Sequence, residues 1–167
     1  WVFNFTVEDG AVVDGGFLVF NLGLMDFAGG TVVEVASGAA ALAVALVVGR
    51  RFGFAKGMHA PHNVPLTLIG AAILWFGWFG FNGGSAGGSG TLATSAFAST
   101  QAAAAAAGLS WMLVELLHKG KATALGLASG IVAGLVAVTP AAGYIYISGG
   151  VAIGILAGIV CYGAVAL

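Results

Sequence analysis

Long apolar runs, broken by short polar or glycine-rich stretches, dominate this chain. Five of them, at about 27–49, 64–83, 94–117, 122–140 and 149–167, approach or exceed the ~20 apolar residues that a helix needs to cross hydrocarbon. The runs are rich in Ala and Leu and lack alternation of period two, so they predict helices rather than strands. Residues 1–26 differ. Three acids (Glu8, Asp9 and Asp14) stand between short apolar stretches there, with Asp26 at its end, and the segment reads as an outer loop or the remnant of a preceding helix. The expected fold is all-α, a polytopic membrane helix bundle.

Composition makes the membrane reading firm. The chain is 60% hydrophobic and 7% charged, with a mean hydropathy of +1.07. A soluble domain carries about 25% charged residues, so this one has too few to cover a water-facing surface. The net charge of −1 gives no reason to expect nucleic acid as a partner. Cys161 stands alone in an apolar run and reads as packing rather than as part of a disulfide or metal motif. The chain opens with Trp1 and shows no basic leader segment, so no signal peptide is expected. Its abrupt start and its apolar end at 149–167 read as a fragment of a longer protein.

Charge also suggests an orientation. Arg50, Arg51 and Lys56 follow the first run, and Lys119 and Lys121 follow the third, so all five cations fall on one side. The loops at 84–93 and 141–148 carry none. The positive-inside rule then puts the N-terminus outside and the C-terminus in the cytoplasm. His59, His62 and His118 lie in the same two basic loops, leaving no histidine inside a run. No phosphate-binding loop, paired-carboxylate hydrolase pattern or metal-spaced His/Cys set appears. No enzyme, metal or cofactor is expected.

Two places carry possible chemistry. On a regular helix, Asp26, Gly30, Glu34, Gly38 and Ala41 would share one narrow face. An ionised carboxylate at the depth of Glu34 costs several kcal/mol unless it faces protein or water, which points to a passage; the alternative is that both acids bind backbone groups at broken helix ends. Asp26, at the helix start, suits a capping role. The second place is Trp75-Phe-Gly-Trp-Phe-Gly-Phe81-Asn-Gly-Gly-Ser85. Aromatic faces attract a desolvated cation by about 2 kcal/mol, and Ser85 offers a neutral acceptor; the alternative is an ordinary interfacial aromatic belt. Gly126, Gly130 and Gly134, like Gly150, Gly154 and Gly158, recur every four residues and suit close helix packing.

Asp26-Phe-Ala-Gly-Gly-Thr-Val-Val33, Pro61-His-Asn-Val-Pro65, Gly77-Trp-Phe-Gly-Phe-Asn-Gly-Gly-Ser85 and Gly134-Leu-Val-Ala-Val-Thr-Pro-Ala-Ala-Gly-Tyr144 occur in that order. They resemble the ammonium transporter (Amt/Mep/Rh) family. The resemblance implies part of an eleven-helix fold of two inverted halves, trimeric with one pore per subunit. The five runs look like its fifth to ninth helices. It also implies transport of ammonium or methylammonium across a plasma or inner membrane. Phe81 matches the inner of two phenylalanines closing the outer vestibule, and Ser85 the serine of the outer ammonium site. Trp78 matches a pore-facing tryptophan, and Asp26 the aspartate supporting the outer site.

Three positions depart from the family pattern. Glu34 stands where the first of two pore histidines is usual, a replacement similar to that in some fungal members. The second histidine is expected on a helix beyond Leu167. Asp14 falls where many bacterial members have a vestibule tryptophan. The family also includes ammonium-sensing proteins, which keeps a sensor or regulatory subunit with little flux as the alternative function. A PII-type regulator would engage the cytoplasmic face near loops 50–62 and 118–121. The orientation is testable by labelling. With Cys161 replaced, Ser89→Cys should react with an impermeant maleimide added outside intact cells and Arg51→Cys should not; the opposite pattern would invert the topology.

Overall fold

The computed structural model describes residues 1–54 and 60–166. Lys56 and His59 of the first basic loop, and the terminal Leu167, lie outside the described residues. Residues 1–26 contain a small antiparallel hairpin, β1 (Thr6–Glu8) and β2 (Ala11–Asp14), and one helical turn, α1 (Phe17–Phe20). The hairpin turns at Asp9-Gly10, both with positive φ, as a two-residue Asp-Gly connection favours. Strand structure thus enters where the long-run argument does not reach.

Five helices follow: α2 (Gly30–Val48), α3 (Val64–Gly83), α4 (Thr91–Lys119), α5 (Ala124–Val138) and α6 (Ile147–Ala166). Four have the length and hydropathy to cross a membrane, while α5 has 15 residues. Their ends have local causes. Asn63 accepts from the Leu66 N–H at 2.9 Å, with Pro65 in the first turn, a position where the missing N–H costs nothing. Thr123 caps α5 by accepting from the Gly126 N–H at 2.9 Å. The last turn of α4 carries Lys119, a cation where the helix dipole favours one.

Helix α4 is the axis of the bundle, and α5 and α6 lie against it through their glycines. A Cβ on Gly134 would sit 2.5 Å from the Ala103 carbonyl oxygen, and one on Gly130 2.7 Å from that of Ala107. Gly154 and Gly158 of α6 approach the same two carbonyls, and Gly150 approaches that of Ser99. Ala96, Ala103, Val138 and Ala142 form the buried centre, with Phe27, Ile145 and Ile153 packed around it. Bilayer hydrocarbon is as apolar as the side chains, so backbone approach and dispersion replace the hydrophobic drive.

The outer flanks of α2 and α3 are open. Leu46, Val47, Ile69 and Phe76 are exposed, which suits helices facing hydrocarbon or neighbouring helices rather than water. Replacing Gly154 with Val should lower the melting temperature in detergent, because overpacking of this kind costs about 1–3 kcal/mol. Gly163→Ala, where no atom lies within 4 Å of the new methyl, should leave it unchanged or slightly raised.

Candidate functional site

The site begins with a buried carboxylate. Asp26 accepts hydrogen bonds from the backbone N–H groups of Gly29 (2.9 Å), Gly30 (2.7 Å) and Thr31 (2.8 Å). These are the donors that the start of a helix leaves without partners, and the negative charge suits the dipole there. Gly29 holds φ at 96°, a left-handed conformation that costs other residues about 1–2 kcal/mol. The turn is fixed from outside as well. The Phe27 N–H donates to the Pro140 carbonyl at 2.9 Å, and a Cβ on Gly30 would lie 2.6–2.8 Å from three carbons of the Pro140 ring.

Glu34 follows on a wide turn. Gly30–Val35 winds as a π-helix before α2 becomes regular at Ala36, and such segments recur at functional sites. The single face drawn through Asp26, Gly30, Glu34, Gly38 and Ala41 is therefore not realised: Asp26 precedes the helix, and the π turns change the register before Gly38. Glu34 is half-buried, and its carbonyl accepts from the Ser37 hydroxyl at 3.0 Å. Its carboxylate takes no hydrogen bond and no ion pair from the described residues. It borders a cavity of about 360 Å³ whose other walls include Val33, Ile73, Leu74, Trp78 and Phe81. This inner chamber is open on the side of Ile73 and Leu74, which are exposed, and is apolar except for Glu34.

Trp78 and Phe81 reach the chamber from the end of α3. Their rings meet edge to face at 5.6 Å, a favoured aromatic geometry. The Trp78 indole N–H donates to the Thr139 hydroxyl at 2.8 Å, and that hydroxyl donates to the Leu135 carbonyl at 2.7 Å. Phe81 belongs to a second π-helical segment, Phe79–Gly83. Just beyond it, the Ser85 hydroxyl donates to the Phe81 carbonyl at 2.7 Å, which leaves its oxygen lone pairs available as acceptors.

Ser85 does not share the inner chamber. It borders a second cavity, of about 450 Å³, together with Asp26, Phe27, Tyr144, Phe3 and Phe5. Phe27 and Tyr144 meet edge to face at 5.5 Å. The aromatic walls around Ser85 thus come from the N-terminal segment and from the corner after α5, not from Trp75 and Trp78. The candidate residues divide between two chambers, Asp26 and Ser85 in the outer and Glu34, Trp78 and Phe81 in the inner. The turn from Phe81 to Ser85 lies between them. Asp14 stands at the end of β2, exposed, accepting from the Gly15 N–H at 2.7 Å.

Sequence reasoning missed Phe3, Phe5, Phe27 and Tyr144 as chamber walls, since ring contacts across more than a hundred residues leave no local pattern. It also passed over Glu115, a buried carboxylate at the far end of α4 that accepts from the Thr123 N–H at 3.0 Å and lies 3.8 Å from the Lys119 ammonium. Its position four residues before Lys119, at helical ion-pair spacing, was available as a sign. No group of three or more His, Cys, Asp and Glu side chains suited to a metal forms among the described residues.

This two-chamber arrangement on glycine-packed helices can be set beside known proteins. The sequence profile of the Ammonium Transporter Family matches residues 1–167. The chain belongs to the ammonium transporter family. Ammonium transporter Amt1 of Archaeoglobus fulgidus is 54% identical over 148 residues, covering 89% of this chain and 38% of its own length. An ammonium transporter of Mycobacterium tuberculosis is 49% identical over 168 residues, covering 100% of this chain and 35% of its own. Among solved structures, Saccharomyces cerevisiae Mep2 superposes with a TM-score of 0.83 at 46% identity, covering 90% of this chain and 35% of that one. A structure described as a sensor Amt protein does so with a TM-score of 0.84 at 38% identity, covering 90% and 38%. The chain therefore spans between a third and two fifths of the length of these relatives, and it is part of a polytopic helical membrane fold.

The helix start at Asp26 gives a direct test. A hydrogen bond to a charged group contributes about 1.5–3 kcal/mol, and Asp26 accepts three. Asp26→Ala should cost about 2 kcal/mol or more in thermal unfolding, and Asp26→Asn, which keeps one acceptor oxygen, should cost less.

Proposed function

We propose that the protein carrying this sequence moves ammonium inward across a plasma or inner membrane, with its N-terminal side outside. Ammonium is captured in the outer chamber by cation–π attraction from Phe3, Phe5, Phe27 and Tyr144 and by the Ser85 oxygen. Ammonium held by ring faces and a neutral hydroxyl, with the Asp26 carboxylate already occupied by three backbone N–H groups, is bound weakly enough to leave. The bare ion is too costly to carry through an apolar passage. It therefore gives up one proton in passing Phe81, and neutral ammonia enters the inner chamber beside Trp78.

Glu34 handles the proton in this reading. As a carboxylate it accepts the proton from ammonium, and as a carboxylic acid it donates a hydrogen bond to ammonia and returns the proton to it at the inward end of the passage. The family resemblance assigns this position to a histidine. A carboxyl can fill both hydrogen-bonding roles, with a different dependence on pH. The observation that carries the proposal is the position of Glu34 as the one ionisable side chain among the described walls of the apolar inner chamber. The complete protein is proposed to be a homotrimer, with a PII-type regulator able to reach the face bearing Arg50, Arg51, Lys119 and Lys121.

A second reading rests on the likeness to the sensor Amt protein: the same two chambers bind ammonium and report its presence with little flux. Ammonium-dependent current in proteoliposomes separates the readings, being present for a transporter and absent for a pure sensor. For the role of Glu34, uptake of methylammonium by the complete protein should fall about tenfold or more in Glu34→Leu, the effect of about 1.4 kcal/mol on a barrier. Glu34→His should transport, with its pH profile displaced from that of the wild type. Indifference of rate and pH profile to both substitutions would remove Glu34 from the mechanism.

A further inference from the structure

The two walls of the inner chamber belong to different helices, and no hydrogen bond joins them among the described residues. Both are held by the corner where α5 ends. On one side, the Thr139 hydroxyl accepts from the Trp78 indole N–H at 2.8 Å. On the other, the Pro140 carbonyl accepts from the Phe27 N–H at 2.9 Å, and the Pro140 ring occupies the space beside Gly30 where a Cβ would go. Glu34 begins one turn beyond that contact. Two consecutive residues therefore grip the tryptophan wall and the glutamate wall of one cavity.

The corner itself has little freedom. Thr139 is fully buried, and its hydroxyl proton is committed to the Leu135 carbonyl at 2.7 Å. This leaves the oxygen to serve Trp78 as acceptor, so both partners have their roles fixed. Beyond Pro140, the Ala142 carbonyl accepts from the buried Ser99 hydroxyl at 2.8 Å, which ties the corner to α4. The chain is thus a frame, α4 and the corner, from which both walls hang.

We propose that Thr139 and Pro140 form a positioning bracket that sets the width of the inner chamber, making Thr139 a specificity-determining residue that acts through Trp78. This rests on the transport reading above. Loss of the Thr139 acceptor leaves a partly buried indole N–H unpaired, and the Trp78 ring turns to find another partner. The chamber then loses its fixed width, and a methyl group on the substrate is rejected less well. A neutral hydrogen bond of this kind contributes about 0.5–1.5 kcal/mol net, so discrimination should change by about two- to tenfold.

The experiment compares the complete protein with Thr139→Val, which keeps shape and removes the acceptor, and Thr139→Ser, which restores it. Uptake of ammonium and of methylammonium in proteoliposomes is measured for each, and the indole N–H resonance of Trp78 is followed by nuclear magnetic resonance in detergent. The expected result is a Thr139→Val protein whose methylammonium-to-ammonium uptake ratio rises at least about twofold, with the Trp78 indole signal moved and exchanging faster with solvent. Thr139→Ser should return both to wild-type values. An unchanged ratio beside a moved indole signal would overturn the specificity role, and an unmoved indole signal would overturn the bracket itself. If wild-type protein carries no ammonium at all, the transport reading fails while the indole measurement still judges the bracket. Should Thr139→Val not fold, Gly30→Ala probes the other grip, and an unaltered uptake ratio there would equally overturn the proposal.

Discussion

The close approach of three backbones at Ala103 is the contact on which the rest of the molecule depends. The carbonyl of this one α4 residue is met from one side by Gly134 of α5 and from the other by Gly154 of α6. In water, burial of apolar area would hold such helices together; in a bilayer that drive is absent, and contact distance takes its place. Any side chain at either glycine would lever a helix away from α4. The bundle is therefore stiff where it is made of its smallest residues.

That stiffness is passed outward. Helix α5 leaves the bundle at Val138 and turns through a corner pinned to α4 by the Ser99 hydroxyl. The corner presents Thr139 to Trp78, Pro140 to Gly30, and Gly143 and Tyr144 to the Phe27 ring. Each chamber wall is thus placed by reference to the glycine-packed frame rather than by its own helix, since α2 contains no fully buried residue beyond its first. A lone carboxyl in an apolar chamber needs such support, because no hydrogen bond or ion pair of its own among the described residues holds it in place.

How much of this was legible in the sequence follows from the range of each signal. Run lengths and hydropathy located five helices, because bilayer thickness is a constraint that acts on every stretch of the chain. Asn63 and the glycine stripes were readable for the same reason, their effects reaching only three or four residues. Charge in an apolar run, the aromatic cluster and then the motif resemblance drew attention to Asp26, Glu34, Trp78, Phe81 and Ser85. None of these told which residues would meet. Ser85 shares its cavity with Phe3, Phe5 and Tyr144 rather than with Trp78, and no local pattern encodes a meeting of residues so distant in the chain. The hairpin at Thr6–Asp14 was missed because attention to long runs hides a short Asp-Gly turn, although that dipeptide is a recognised hairpin signal.

The two π-helical segments carry a further consequence. Glu34 and Phe81 each lie within one, where the hydrogen bonds run from residue i to i+5 instead of i to i+4. Each segment thus holds a residue more than the same turn of α-helix would require. Removing that residue would give a locally better helix, yet every side chain beyond it would swing by about 100° around the axis. The length of these segments, counted in residues, is as much a part of the site as the side chains they carry. A chain of this kind tolerates substitution at many positions along α2 and α3 far more readily than the loss or gain of a single residue in either turn.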